Sequence, residues 1–174
     1  MEEAIALINQ LIEEHKQIVR RFQTAESIAS DAGALVAMDE AKDDFVPGRF
    51  GSQKQSLQSL KESLEMVAQG LQEHFDREER GLLALFKKYG GEMMASGLRV
   101  LLLEHQELKD RIAESEKEVA ELIEAKLSRE VQEGKAWGVR VYMGHTRKLI
   151  EAHAQSEQEL FHELRAKLKR HERQ

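Results

Sequence analysis

Apolar residues recur every three or four positions along nearly the whole chain, the spacing of one face of an α-helix. The pattern divides into four long segments. The first runs from Met1 to about Met38, with Ile5, Ile8, Ile12, Val19 and Phe22 along its seam. Asp39 to Ser52 follows; it holds Asp43-Asp44, the single proline Pro47, Gly48 and Gly51, and it reads as a loop. A second helix extends from about Gln53 to Lys88 through Leu57, Leu60, Leu64, Val67, Leu71, Leu82 and Leu85, and Tyr89-Gly90-Gly91 supplies its stop. The third, from near Glu92 to about Leu127, turns Leu98, Leu101, Leu102, Leu108, Ile112, Val119 and Leu122 inward. Ser128 is the expected N-cap of a fourth helix with Glu130 in its first turn. Gly134, Gly138 and Gly144 weaken its early part, and from Thr146 onward the seam of Leu149, Ile150, Leu160, Leu164 and Leu168 is regular.

Each seam is interrupted by groups that do not belong in an apolar core. His15 lies between Ile12 and Val19, and His105 lies within the seam of the third helix. On the second helix, three and then four residues beyond Leu71 stand His74 and Glu78; on the fourth, His153 and Glu157 repeat that spacing. A buried carboxylate is costly without a compensating charge. A metal ion is a compact compensation that also accounts for the histidines.

The turns allow a check on this reading. In consecutive antiparallel helices, two residues at one height are equidistant from the turn between them. The midpoint of His15 and His74 falls between Asp44 and Phe45, in the Asp/Pro/Gly segment. That of His74 and His105 falls between Tyr89 and Gly90, and that of His105 and His153 falls on Arg129, next to Ser128. The pattern therefore predicts an all-α, up-down-up-down four-helix bundle, one domain over residues 1–174, with His15, His74, Glu78, His105, His153 and Glu157 at one level.

The remaining histidines fall outside that level or face. At about 100° per residue, His145 is turned about 80° from His153 and His162 is nearly opposite to it. His171 shares the face but stands about 27 Å further along. A ferritin-like site would need Glu-x-x-His on two helices, and the one such pair, Glu159 and His162, faces away from the seam. Phe75, Ile12, Leu71, Leu108 and Ile150, all within a turn of the candidate ligands, should form an apolar wall around them. Trp137 and Tyr142 are assigned only packing.

Composition narrows the chemistry. The chain has 174 residues, 33% of them charged, and no cysteine, which excludes disulfides, thiolate ligands, iron–sulfur clusters and a cysteine nucleophile. Absence of cysteine fits a reducing compartment; with no signal peptide in view, a cytoplasmic location is expected. No apolar run is long enough for a membrane span. The net charge of −6 argues against nucleic acid as a partner, and the basic stretch Arg165 to Arg173 reads as a helix C-terminus.

The two halves resemble each other. Ile12-Glu13-Glu14-His15 through Phe22 matches Leu102-Leu103-Glu104-His105 through Ile112, and Leu71 to Glu78 matches Ile150 to Glu157. Each half is thus a helical hairpin contributing one lone histidine and then one His-x-x-x-Glu. The ordered set His15, His74-x-x-x-Glu78, His105, His153-x-x-x-Glu157 resembles the hemerythrin-like (HHE cation-binding) family over roughly Ile5 to Leu168. The resemblance implies a non-haem centre of two iron ions, oxo- or hydroxo-bridged, with both glutamates bridging; the same donors also suit zinc or manganese. Leu101 and Lys109 stand where oxygen-carrying hemerythrins have a second histidine on the third helix, and Glu157 replaces an aspartate five residues after its histidine. With both glutamates and one oxygen atom bridging, about one position per metal stays open.

The function expected from this set is binding of O₂ or NO at the di-iron site, for sensing, buffering or delivery. The alternative is a di-iron enzyme or iron-handling protein that reduces peroxide or NO, or takes part in repair of iron centres under nitrosative or oxidative stress. A third reading is a helical bundle that acts through protein contacts alone. The residues leave the oligomeric state open.

Overall fold

The computed structural model describes residues 1–38, 49–124 and 127–171. Helix α1 spans Glu2–Met38, α2 Arg49–Leu85, α3 Glu92–Glu124 and α4 Arg129–His171, and no strand occurs among the described residues. α2 begins at Arg49 rather than near Gln53, so Gly51 and Ser52 lie inside it and not in the expected loop. The rest of that loop, residues 39–48 with Asp44 and Pro47, lies outside the described residues. The glycines of α4 do not interrupt it: the helix runs unbroken from Arg129 through Gly134, Gly138 and Gly144. Its packed C-terminal two-thirds outweigh a cost of about 1 kcal/mol per glycine.

The turns that are described follow the sequence chemistry. α2 widens into one π-helical turn over Phe86–Gly90, and Gly91 then takes φ 85°, a backbone region that side chains disfavour. The Gly91 carbonyl at once accepts from Ala95 N at 3.1 Å, so a single residue separates α2's last turn from α3. Lys167 Nζ of α4 donates to the Gly90 carbonyl at 2.9 Å and satisfies an end group of α2. At the other turn the Ser128 carbonyl accepts from Gln132 N at 3.0 Å, which places Ser128 at the N-terminal boundary of α4 as expected.

α1 packs on α2 and α4, and α3 on the same two helices; of the diagonal pairs, α1 and α3 make no close approach among the described residues, and α2 meets α4 only through its last turn, Phe86–Gly90. This is the square, alternating bundle. Its interior is split into two apolar blocks. One contains Ile18, Phe22, Leu64, Leu71, Phe75, Leu108, Ile112, Met143 and Ile150. The other contains Ile8, Leu11, Leu82, Phe86, Leu98, Phe161, Leu164 and Leu168. In every helix the break between blocks falls at the histidine level. The buried seam of α1 is Ile8, Leu11, His15, Ile18 and Phe22, whereas Ile5, Ile12 and Val19 flank it half-buried. Leu85, Leu101, Leu102, Leu149 and Leu160 likewise sit on the flanks. An apolar stripe broader than the seam includes such flanking residues, and periodicity alone ranks them with the true core.

Candidate metal centre

Between the two blocks lies a layer of six polar side chains: His15, His74, Glu78, His105, His153 and Glu157, each at most 5% exposed. All six expected positions are therefore brought together. The imidazoles form two pairs. His15 and His74 have ring centroids 4.5 Å apart; His105 and His153 are 5.1 Å apart. The carboxylates lie between the pairs, and each divides its oxygens. Glu78 Oε1 is 3.2 Å from His74 Nε2 and 3.7 Å from His15 Nε2, while its Oε2 is 3.3 Å from His105 Nε2. Glu157 Oε2 is 3.0 Å from His15 Nε2, while its Oε1 is 3.2 Å from His153 Nε2 and 3.6 Å from His105 Nε2. Two four-residue groups result, His15/His74/Glu78/Glu157 and Glu78/His105/His153/Glu157, whose donor atoms lie within 4.8 Å of one another. The glutamates are common to both.

These donors fit a metal for a reason that the hydrogen-bond pattern makes plain. Nε2 of all four histidines and both oxygens of both glutamates are buried and lack a hydrogen-bond partner. Native proteins rarely leave such groups unsatisfied. They gather in the two groups just described, and nitrogen and oxygen donors of this kind bind iron, zinc or manganese.

Three of the imidazoles are held from behind. His74 Nδ1 donates to Glu14 Oε2 at 2.9 Å, His105 Nδ1 to Glu79 Oε1 at 3.0 Å, and His153 Nδ1 to Glu104 Oε2 at 2.9 Å. A carboxylate there keeps the proton on Nδ1 and turns the Nε2 lone pair toward the cluster. Arg77 Nε in turn donates to Glu14, as does Gln10 Nε2, one turn before it, at 2.8 Å. Although burial raises the Glu14 carboxyl, its contacts with His74, Gln10 and Arg77 outweigh that and hold it below the usual value. These glutamates were not singled out from the sequence, yet a signal existed: Glu14 and Glu104 occupy matching positions of the internal repeat, each just before a seam histidine. Replacing Glu104 by Gln is expected to weaken metal binding by about 10–100-fold with the fold retained, as read by competition with a chromophoric chelator.

Aromatic rings complete the walls. Phe75 stacks on His105, centroids 3.7 Å apart and planes 9° apart, and meets His153 edge-on at 5.9 Å. Phe161 lies parallel to His15 at 5.8 Å; nothing in the spacing had distinguished it from ordinary core. Of the rest of the expected wall, Leu71, Leu108 and Ile150 are buried, and Ile12 is half-buried. Lys109 does not enter the cluster; its Nζ lies 5.9 Å from the Phe75 centroid. His145, His162 and His171 are exposed and take no part, as is Trp137. Arg165 Nη2 donates to His162 Nδ1 at 2.9 Å.

The buried charges govern how protons compete at this layer. Burial pushes His15 and His105 down, but their contacts with Glu157 and Glu78 outweigh it and raise both to about 9. His153 is raised for the same reason, by Glu157. Burial raises Glu78, yet His105, His15 and His74 hold it down to about 2, and Glu157 is likewise held well below its usual value. Stripped of metal, the protein should gain stability from His15 and His105 fully below their ordinary 6.5 and lose it as pH rises through about 9. The Glu78 contribution is present above 4.5 and lost as pH falls through about 2. The thermal midpoint in chelator should therefore peak between about 4.5 and 6.5. Metal must displace these protons, so its affinity should rise from pH 6 to 9, with acid released on loading in weakly buffered solution.

The fold and the layer define a class: an all-α bundle with a buried histidine–glutamate cluster that could hold metal cations. The family model of the hemerythrin HHE cation binding domain matches residues 6–171, nearly the whole chain, and the chain belongs to that family. Searches of curated proteins and of solved structures return no match. Among the described residues no helix is long and apolar enough to cross a membrane.

Proposed function

We propose that this chain is one hemerythrin-like domain over residues 1–174 whose centre holds two iron ions. His15 and His74 would hold one, His105 and His153 the other, and Glu78 and Glu157, common to both groups, would be shared between them. The observation that carries this reading is the division of each buried carboxylate, one oxygen toward each histidine pair. A single-metal site would not call for that duplication. Iron bound by this set supplies open coordination to a diatomic ligand and accepts or donates electrons.

The chain's own residues do the rest. Glu14, Glu79 and Glu104 orient three imidazoles. Phe75, Phe161, Leu71 and Ile150 restrict water and admit a small, weakly polar ligand in preference to a large one. The buried Thr146 and Ser115 hydroxyls donate to the Tyr142 and Arg111 carbonyls of their own helices, not toward the cluster. That favours reversible binding of O₂ or NO, for sensing, buffering or delivery, over reduction chemistry, which must bring protons to its product.

The test is anaerobic addition of O₂, NO or peroxide to the protein loaded with ferrous iron, followed in the visible and near-ultraviolet. Spectral changes that reverse on removal of O₂ or NO support the binding reading. Multiple turnovers of peroxide or NO with a reductant would replace it by the enzymatic one.

A further inference from the structure

The internal repeat makes the two metal positions formally alike, and the structure shows where they differ. The residue after Glu78 is Glu79, which holds His105 Nδ1 at 3.0 Å. The residue after Glu157, its counterpart, is Gln158. Among the described residues His15, the counterpart of His105, has no partner on Nδ1: it alone of the four imidazoles has both ring nitrogens buried and unpaired there. The residue after His74 is Phe75, stacked on His105, whereas the residue after His153 is Ala154.

Both exchanges strip support from the same histidine, and both line one surface feature. A groove of about 400 Å³ between α1 and α4 is bordered by His15, Ala154 and Gln158, with Arg20, Gln23 and Glu151 further out. His74, the other histidine of this half, does have an anchor, but Glu14 shares its charge with Arg77. The His105/His153 half has an anchoring carboxylate on each ring.

Resting on the binuclear reading above, we propose that the two metal positions are inequivalent: the His15/His74 position binds more weakly and exchanges its metal along the α1/α4 groove, and Gln158 is the residue that sets the difference. A carboxylate behind a ligating imidazole raises its basicity and fixes its orientation, and loss of such a partner costs about 10–100-fold in affinity. The tight position keeps the centre assembled and the loose one gives up or takes on an ion without unfolding the bundle.

The experiment is titration of the metal-free protein with Zn²⁺ against a chromophoric competitor, with histidine ring ¹⁵N shifts recorded at each step. Two steps separated by about 10–100-fold are expected, with His105 and His153 shifting in the first and His15 and His74 in the second. Gln158→Glu, at a half-buried position, should tighten the second step and narrow the gap to a few-fold. Glu79→Gln should weaken the first. Two equal steps, His15 shifting first, or a gap unmoved by both variants would overturn the inference while leaving the centre in place. Failure of Zn²⁺ to shift any of the four histidines would overturn the centre itself and this inference with it.

Discussion

Glu78→Ala and Glu157→Ala are each expected to abolish the two-metal centre, leaving less than about one metal per chain, because each carboxylate faces both histidine pairs at once. Removing a terminal imidazole would remove one bond from one metal. On the proposed assignment, removing either glutamate would take a bond from each, together with a negative charge that offsets repulsion between two ions. Glu78→Gln separates shape from charge: the side chain still fits its buried space, but one of the two oxygens becomes an amide nitrogen that does not ligate. It should behave like the alanine variant in metal content and like the parent in fold. His162→Ala and His171→Ala, at exposed positions away from the cluster, should retain full metal content. Elemental analysis alongside circular dichroism checks all of these, and full occupancy in both glutamate variants would sink the bridging assignment.

Phe75→Ala should be the most damaging change among the residues that do not ligate. Its ring is 1% exposed, fills the apolar block beside the cluster and stacks on His105. Truncating a buried phenylalanine costs about 3–5 kcal/mol through lost burial and the cavity left behind. For a chain of this size that lowers the thermal midpoint by on the order of 10 °C. The cavity would also open beside His105 and admit water to a layer that excludes it, so metal should be lost faster to chelator. A fall of less than about 1 kcal/mol in denaturant unfolding would contradict the packing described here. A fall in stability with unchanged metal release would show that the ring supports the bundle without guarding the centre.

The large features of this molecule were legible in the chain because they rest on periodicity and on charge. The helix spacing, Gly90-Gly91 and Ser128 located α3 and α4, and the level of the four histidines followed from symmetry about the turns. His74, Glu78, His153 and Glu157 stood out because an ionisable group in an apolar seam contradicts its surroundings. The parts that were not legible depend on contacts across helices. Glu79 looks like any exposed helix glutamate until α3 brings His105 against it, and Phe161 looks like core until its plane is found parallel to His15. The start of α2 was missed because Gly51 and Ser52 favour turns in isolation, whereas in the bundle they lie within a helix anchored by residues further along. A seam drawn through Ile12 and Val19 passes over Leu11 and Ile18, which are the buried ones, because hydrophobicity does not distinguish the middle of an apolar stripe from its margin.

Charge explains why this layer is tolerated at all. Four imidazoles and two carboxylates in a bundle centre would, as isolated groups, each oppose folding. Set together, the two buried carboxylates are offset by positive charge, whether on imidazoles or on bound cations. The apolar blocks on either side, with Phe22, Leu64, Phe86 and Leu98 fully buried, supply the stability that carries the polar layer between them.

The central claim is that both histidine pairs hold iron, and it is met most directly by the metal content of the protein purified from cells grown with iron, zinc and manganese all supplied. About two irons per chain is the expected result, with anomalous diffraction at the iron edge placing one beside His15 and His74 and one beside His105 and His153. Protein free of metal, with a thermal midpoint that added iron does not move, would contradict it.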